Sequence, residues 1–189
     1  MRRQITSVYQ LKIALVGVVP QIYRRVLVPA DISLDALHAV IQIAMGWTDS
    51  HLHSFMFGET YYSMPFDGEL MEETEDETDV PLSNLIVEPK SVFRYTYDFG
   101  DDWEHKITLE KIVSPVLRTD YPTCLAGKRA CPPDDCGGVW SYMELIEIMA
   151  NPKHPEYREM KEWLGRKLDP EAFDLEKTNK ALKRLQGWM

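Results

Sequence analysis

Residues 95–110 read YTYDFGDDWEHKITLE. Two alternating runs, Val92 to Asp98 and Trp103 to Val113, flank Gly100, Asp101 and Asp102, the turn chemistry a reversing chain requires. The reading is an antiparallel hairpin with a crowd of ionisable side chains at its tip. Trp103, His105, Ile107 and Leu109 share one face of the second strand, and on a pleated strand that face is normally buried. His105 is therefore either a satisfied core histidine or a site residue beside Trp103.

Working outward, Tyr9, Leu11, Ile13 and Leu15 alternate with polar residues, Gly17 to Pro20 supplies a turn, and Ile22 to Val28 returns as a strand. Ser33 offers a helix N-cap, and Leu34, Leu37, Ile41 and Met45 follow at helical spacing until Gly46, with His38 on or near the apolar stripe. From His51 to Phe57 the period returns to two. The prolines and glycines between Ser114 and Gly138 exclude regular structure over most of that stretch. Ser141 with Glu144 reads as a capping box, Pro155 as the first position of a further helix ending at Gly165, and Asp174 as the start of a last one. Strands dominate the first two thirds and helices the rest. The fold class is α+β, with antiparallel hairpins forming a curved or roll-like sheet, one early helix packed on it and a helical part over 141–189. We read 1–189 as a single domain.

A composition of 44% hydrophobic and 27% charged residues is that of an ordinary globular chain. No apolar run approaches the roughly 20 residues of a membrane span, and no leader pattern follows Arg2 and Arg3, so the expected location is the cytoplasm and no membrane partner is expected. Eight acids between Asp67 and Asp79 account for nearly all of the net charge of −9. The stretch 66–79 reads as a solvated acidic loop. The segment before Asp31 carries five bases and no acid, so charge alone excludes neither a protein nor a nucleic-acid partner.

Two constellations carry chemistry. His51 and His53 sit two apart on an expected strand, so their imidazoles project from one face with Cα atoms about 6–7 Å apart. Imidazole at that spacing suits a divalent metal such as zinc, with Cys136 as a further ligand, although Cys124, Cys131 and Cys136 lack the CxxC spacing of a zinc ribbon. Asp98, Asp101, Trp103 and His105 place carboxylate, imidazole and indole in one small volume, the kind of mixture that shifts pKa values. At least one of these aspartates is expected to serve the turn itself. The pocket candidates are thus His51, His53, Asp98, Asp101, Trp103 and His105. The functional readings are a binding module for a ligand, ion or macromolecular partner, or a metal-dependent hydrolase acting on phosphodiesters with His105 as acid or base.

IYRRVLVP at 22–29, LHAVIQIAMGWTDSHLHSF at 37–55, YDFGDDWEHKI at 97–107, CPPDDCGG at 131–138 and HPEYREMKEWLG at 154–165, followed by DPEAFDL, together resemble the plasmid pRiA4b ORF-3-like proteins. The resemblance runs over nearly the whole chain. It implies an α+β roll-like domain of mobile-element association and no established reaction. The family's motif positions fall here on His38, Trp47, His51, His53, Asp98, Asp101, Trp103, His105, Cys136 and Gly138. Its pattern has glycine before the tyrosine that is Tyr142 here; this chain has Ser141.

Overall fold

The hairpin that opened the sequence forms the middle of an eight-stranded sheet. In a computed structural model that describes residues 5–65, 67, 69–117 and 119–187, β1 (Val8–Leu15), β2 (Tyr23–Pro29), β3 (His53–Phe57), β4 (Thr60–Ser63), β5 (Thr74–Asp76), β6 (Val92–Tyr97), β7 (Trp103–Val113) and β8 (Thr123–Lys128) lie in the order β5-β4-β3-β6-β7-β1-β2-β8. Every neighbouring pair is antiparallel except β4 and β5. The helices are α1 (Leu34–Met45), α2 (Gly138–Ala150), α3 (Tyr157–Leu164) and α4 (Leu175–Leu182). This is an α+β fold on an open sheet. Among the described residues, no helix is long and apolar enough to cross a membrane.

Register explains which residues reach the core. Tyr95 lies opposite His105, Tyr97 opposite Trp103, His53 opposite Tyr97, and Leu15 opposite His105. Directly paired residues share a face, so Leu11, Ile13, Leu15, Phe55, Tyr95, Tyr97, Trp103 and His105 form one continuous buried surface. α1 closes over the core with Leu34, Leu37, Val40 and Ile41, all fully buried. The other face is polar: Arg25 grips Glu110 through two bonds of 2.6 and 2.8 Å while Gln10 donates to the same carboxylate.

Several local expectations change. α2 begins at Gly138, with Gly137 in the left-handed region as its cap, so Ser141 lies inside the helix and the SxxE pattern is not its start. α3 begins at Tyr157, two residues after Pro155. Ser33 has the extended backbone of an N-cap but makes no side-chain cap bond, whereas Asp174 caps α4 by accepting from the Lys177 amide at 2.9 Å. The proline-rich stretch contains a full strand, β8, which pairs with β2 because sheet hydrogen bonding outweighs weak local propensity. In the acidic stretch, Phe66 and Gly68 lie outside the described residues, yet Thr74–Asp76 form β5 and Glu77 is fully buried.

Candidate functional site

At the interior end of the site lies a set of side chains that satisfy one another. His38 of α1 and His53 of β3 stack with ring centroids 3.5 Å apart and 7° between planes. His53 Nε2 donates to both oxygens of the buried Glu77, at 2.9 and 3.1 Å. His38 Nε2 meets Asp49 Oδ1 at 2.7 Å and its Nδ1 meets the Tyr95 hydroxyl at 2.8 Å. Because Asp49 requires a donor, His38 carries its proton on Nε2, so Tyr95 donates to Nδ1 and accepts from Gln42 Nε2 at 2.9 Å. Burial, and then the neighbouring His53, push His38 down to about 4, which keeps it neutral in the stack.

Beneath the hairpin tip the packing is aromatic and less complete in hydrogen bonds. Trp47 packs at a tilt against Tyr97, with ring centroids 4.8 Å apart, and meets His105 edge-on at 5.1 Å, while its indole N–H donates to Pro132 O. His105 is wholly buried and its Nδ1–H donates to Tyr95 O at 3.3 Å, leaving Nε2 as an acceptor without a partner. Burial lowers it to about 4. Trp103 Nε1 and the Tyr142 hydroxyl are likewise buried and unpartnered. Burial pushes Tyr142 up to about 12.

Three distant segments meet above this layer. Asp98 opens the tip with φ +58 and its Oδ1 accepts from the Gly100 amide at 2.9 Å, an Asx turn. Asp101 Oδ2 accepts from the Gly137 amide at 3.0 Å, which ties the tip to the cysteine loop. Gly138 makes the approach feasible, since a Cβ there would come within 2.6 Å of the Asp101 carbonyl oxygen. From the other side Thr48 donates to Asp134 at 2.9 Å, bringing in the segment that leads from α1 to β3.

Where the segments converge, His51 Nε2 lies 3.2 Å from Asp135 Oδ1 and 3.6 Å from Asp98 Oδ2, and the ligand atoms of all three residues lie within 4.8 Å of one another. Although His51 Nε2 is shielded from solvent, it makes no well-formed hydrogen bond. Both carboxylates stand on residues with positive φ, +58 at Asp98 and +57 at Asp135, a conformation that aspartate tolerates better than most side chains. An imidazole and two carboxylates at these separations can hold a divalent cation with N and O ligands, since ligands near 2 Å from an ion lie about 3–4 Å from each other.

The residues singled out from sequence therefore divide. His51 and Asp98 meet in the cluster, Asp101 fastens the tip, and Trp103 and His105 lie wholly buried below it. His51 precedes β3, while His53 lies in the strand and turns to Glu77 and His38, so the imidazoles expected to share an ion face different partners. Among the described residues, neither His53 nor Cys136 belongs to a group of three or more ligand-type side chains close enough to hold one. All three thiols are unbridged, and burial, reinforced by Asp101, pushes Cys136 up to about 12 and so keeps it protonated. Sequence reasoning passed over Asp135, although it adjoins Cys136 in CPPDDCGG. It also passed over Glu77, which nothing distinguishes from the other acids of its run.

A family model described as "Plasmid pRiA4b ORF-3-like protein" matches residues 7–177. Uncharacterized protein y4hQ of Sinorhizobium fredii is 39% identical over 183 residues, covering 96% of this chain and 93% of the relative. The crystal structure of a protein of unknown function, MM3350 from Methanosarcina mazei Go1, superposes with a TM-score of 0.82 at 38% identity, covering 92% of this chain and 98% of that one. The chain belongs to the plasmid pRiA4b ORF-3-like family.

Proposed function

We propose that the domain is a binding module whose ligand site is the His51, Asp98 and Asp135 cluster, taking a divalent cation directly and serving an unidentified protein or nucleic-acid partner through it. One observation carries this reading: His51 Nε2 is withdrawn from solvent, lacks a hydrogen-bond partner and lies within 3.6 Å of two carboxylates from two other segments. A buried polar nitrogen left in that state is costly unless something occupies the space it faces. Zinc or manganese is the expected class of ion, given one nitrogen and two oxygen donors. Asp101, Trp103, His105 and His53 support the site without facing the ligand: Asp101 pins the cysteine loop, and the buried residues hold the tip and β3 in place.

Binding is favoured over phosphodiester hydrolysis because His105, the acid or base that the hydrolytic reading needs, has no exposed surface from which to reach a substrate. The test uses protein purified without a polyhistidine tag, with zinc and manganese titrated by calorimetry. One equivalent is expected to bind to the wild type, with at least tenfold weaker binding in His51→Ala and Asp98→Asn. Equal affinity in the wild type and both variants would overturn the assignment.

A further inference from the structure

α3 presents a conflict between its sequence and its environment. Tyr157, Met160, Trp163 and Leu164 make it strongly amphipathic, yet none of its residues is buried. It packs chiefly on α2, and between the two helices runs a groove of about 360 Å³. Leu145 and Ile148 of α2 and Met160 and Trp163 of α3 form its apolar lining, with Trp163 left 48% exposed.

The groove's charge is one-sided. Glu144, Glu156, Glu159 and Asp135 line it with no lysine, arginine or histidine. Among the described residues, none of these three glutamates forms an ion pair. One turn of α2 before Glu144, Trp140 stands 90% exposed, extending the apolar surface past the rim.

We infer that this groove docks a basic amphipathic helix of a partner protein, its apolar stripe against Met160 and Trp163 above the buried Leu145 and Ile148 floor and its lysines or arginines against the glutamate rim. An apolar floor between two helices accepts a helix by its i, i+3, i+4 anchors, and a rim of a single sign selects the opposite charge. Nucleic acid is disfavoured because its phosphates would meet carboxylates. A second copy pairing symmetrically through this face would set glutamate against glutamate. The inference goes beyond the cation site and does not require an ion there.

The probe is a fluorescein-labelled peptide of leucine and lysine patterned as an amphipathic helix, followed by anisotropy in 0.15 M salt against the full chain. Controls are the same peptide with glutamate for lysine, and a shuffled peptide of equal composition without a stripe. The patterned lysine peptide is expected to bind at least tenfold more tightly than either control. Its affinity should fall at least tenfold in E144Q/E156Q/E159Q and again in Trp163→Ala, while the cation titration with Asp135 retained is unchanged. Equal affinity for the shuffled peptide, equal affinity in either variant, or no binding at millimolar peptide would overturn the inference. So would a concentration-dependent dimer by sedimentation that Trp163→Ala abolishes, which would give the face to a second copy.

Discussion

The two histidines of the HLH sequence end in opposite environments. His53 is 5% exposed, its Nε2 is held by a fully buried carboxylate, and its ring is stacked on a second imidazole. His51, two residues earlier, is 26% exposed and stands near two carboxylates without a formed hydrogen bond. The interior pair has completed its interactions within the fold, and a group so satisfied contributes stability. The outer cluster has gathered charge-bearing atoms without completing them, and that is the condition in which a ligand can add something. Proximity in sequence therefore says little about shared chemistry; the number of unfilled hydrogen-bonding positions says more.

The contrast makes graded predictions. The largest effect is expected from Glu77→Ala, which leaves the buried His53 N–H without its acceptor and a void where a fully buried side chain stood, and should cost about 4 kcal/mol in urea unfolding. Cation affinity measured on the folded fraction should move little. A loss below about 1 kcal/mol, the scale of an exposed pair, would erase the distinction between the two histidines.

Next comes acid. His105 is held near 4 in the folded protein against an ordinary 6.5. Above pH 6.5 it is neutral in both states and contributes no pH dependence. As the pH falls from 6.5 toward 4 the unfolded chain takes up the proton first, so stability drops by about 3 kcal/mol and then levels off. His105→Phe should remove that share of the slope, read from urea midpoints at neutral and acid pH. An identical slope in the variant would place the acid sensitivity elsewhere, with His38 the other imidazole so depressed and Glu110 a carboxylate held down to about 2 by Arg25.

Gly138→Ala acts on the junction. Its φ of +78 and the 2.6 Å approach to the Asp101 carbonyl predict a cost of about 2 kcal/mol and a weaker cation site, because the tip must separate from the cysteine loop. The smallest stability change is expected at His51 itself. His51→Ala should cost no more than about 0.5 kcal/mol, since it removes an unpaired nitrogen, while weakening cation binding at least tenfold, the reverse of the Glu77 result.

The hairpin and the buried stripe of Trp103, His105, Ile107 and Leu109 could be read from residues because strand periodicity and turn chemistry are local properties. α1 was legible for the same reason. β8 was not, since a strand in a proline-rich stretch exists only through its pairing with β2. Among site residues, His51 and Asp98 stood out by type and company. Asp135 did not, because an aspartate beside glycines is ordinary until the fold carries it to within 3.2 Å of an imidazole.

By itself, then, the sequence determined the α+β class, the family, the position of the central hairpin and the segments rich in ionisable groups. Tertiary structure alone decided which of those groups meet. It sent His53 inward to Glu77, left His51 outward beside Asp98 and Asp135, and sealed Trp103 and His105 beneath them. The physical reason is range. Periodicity and turns are set by neighbours along the chain, whereas hydrogen-bond completion depends on atoms brought together from segments tens of residues apart.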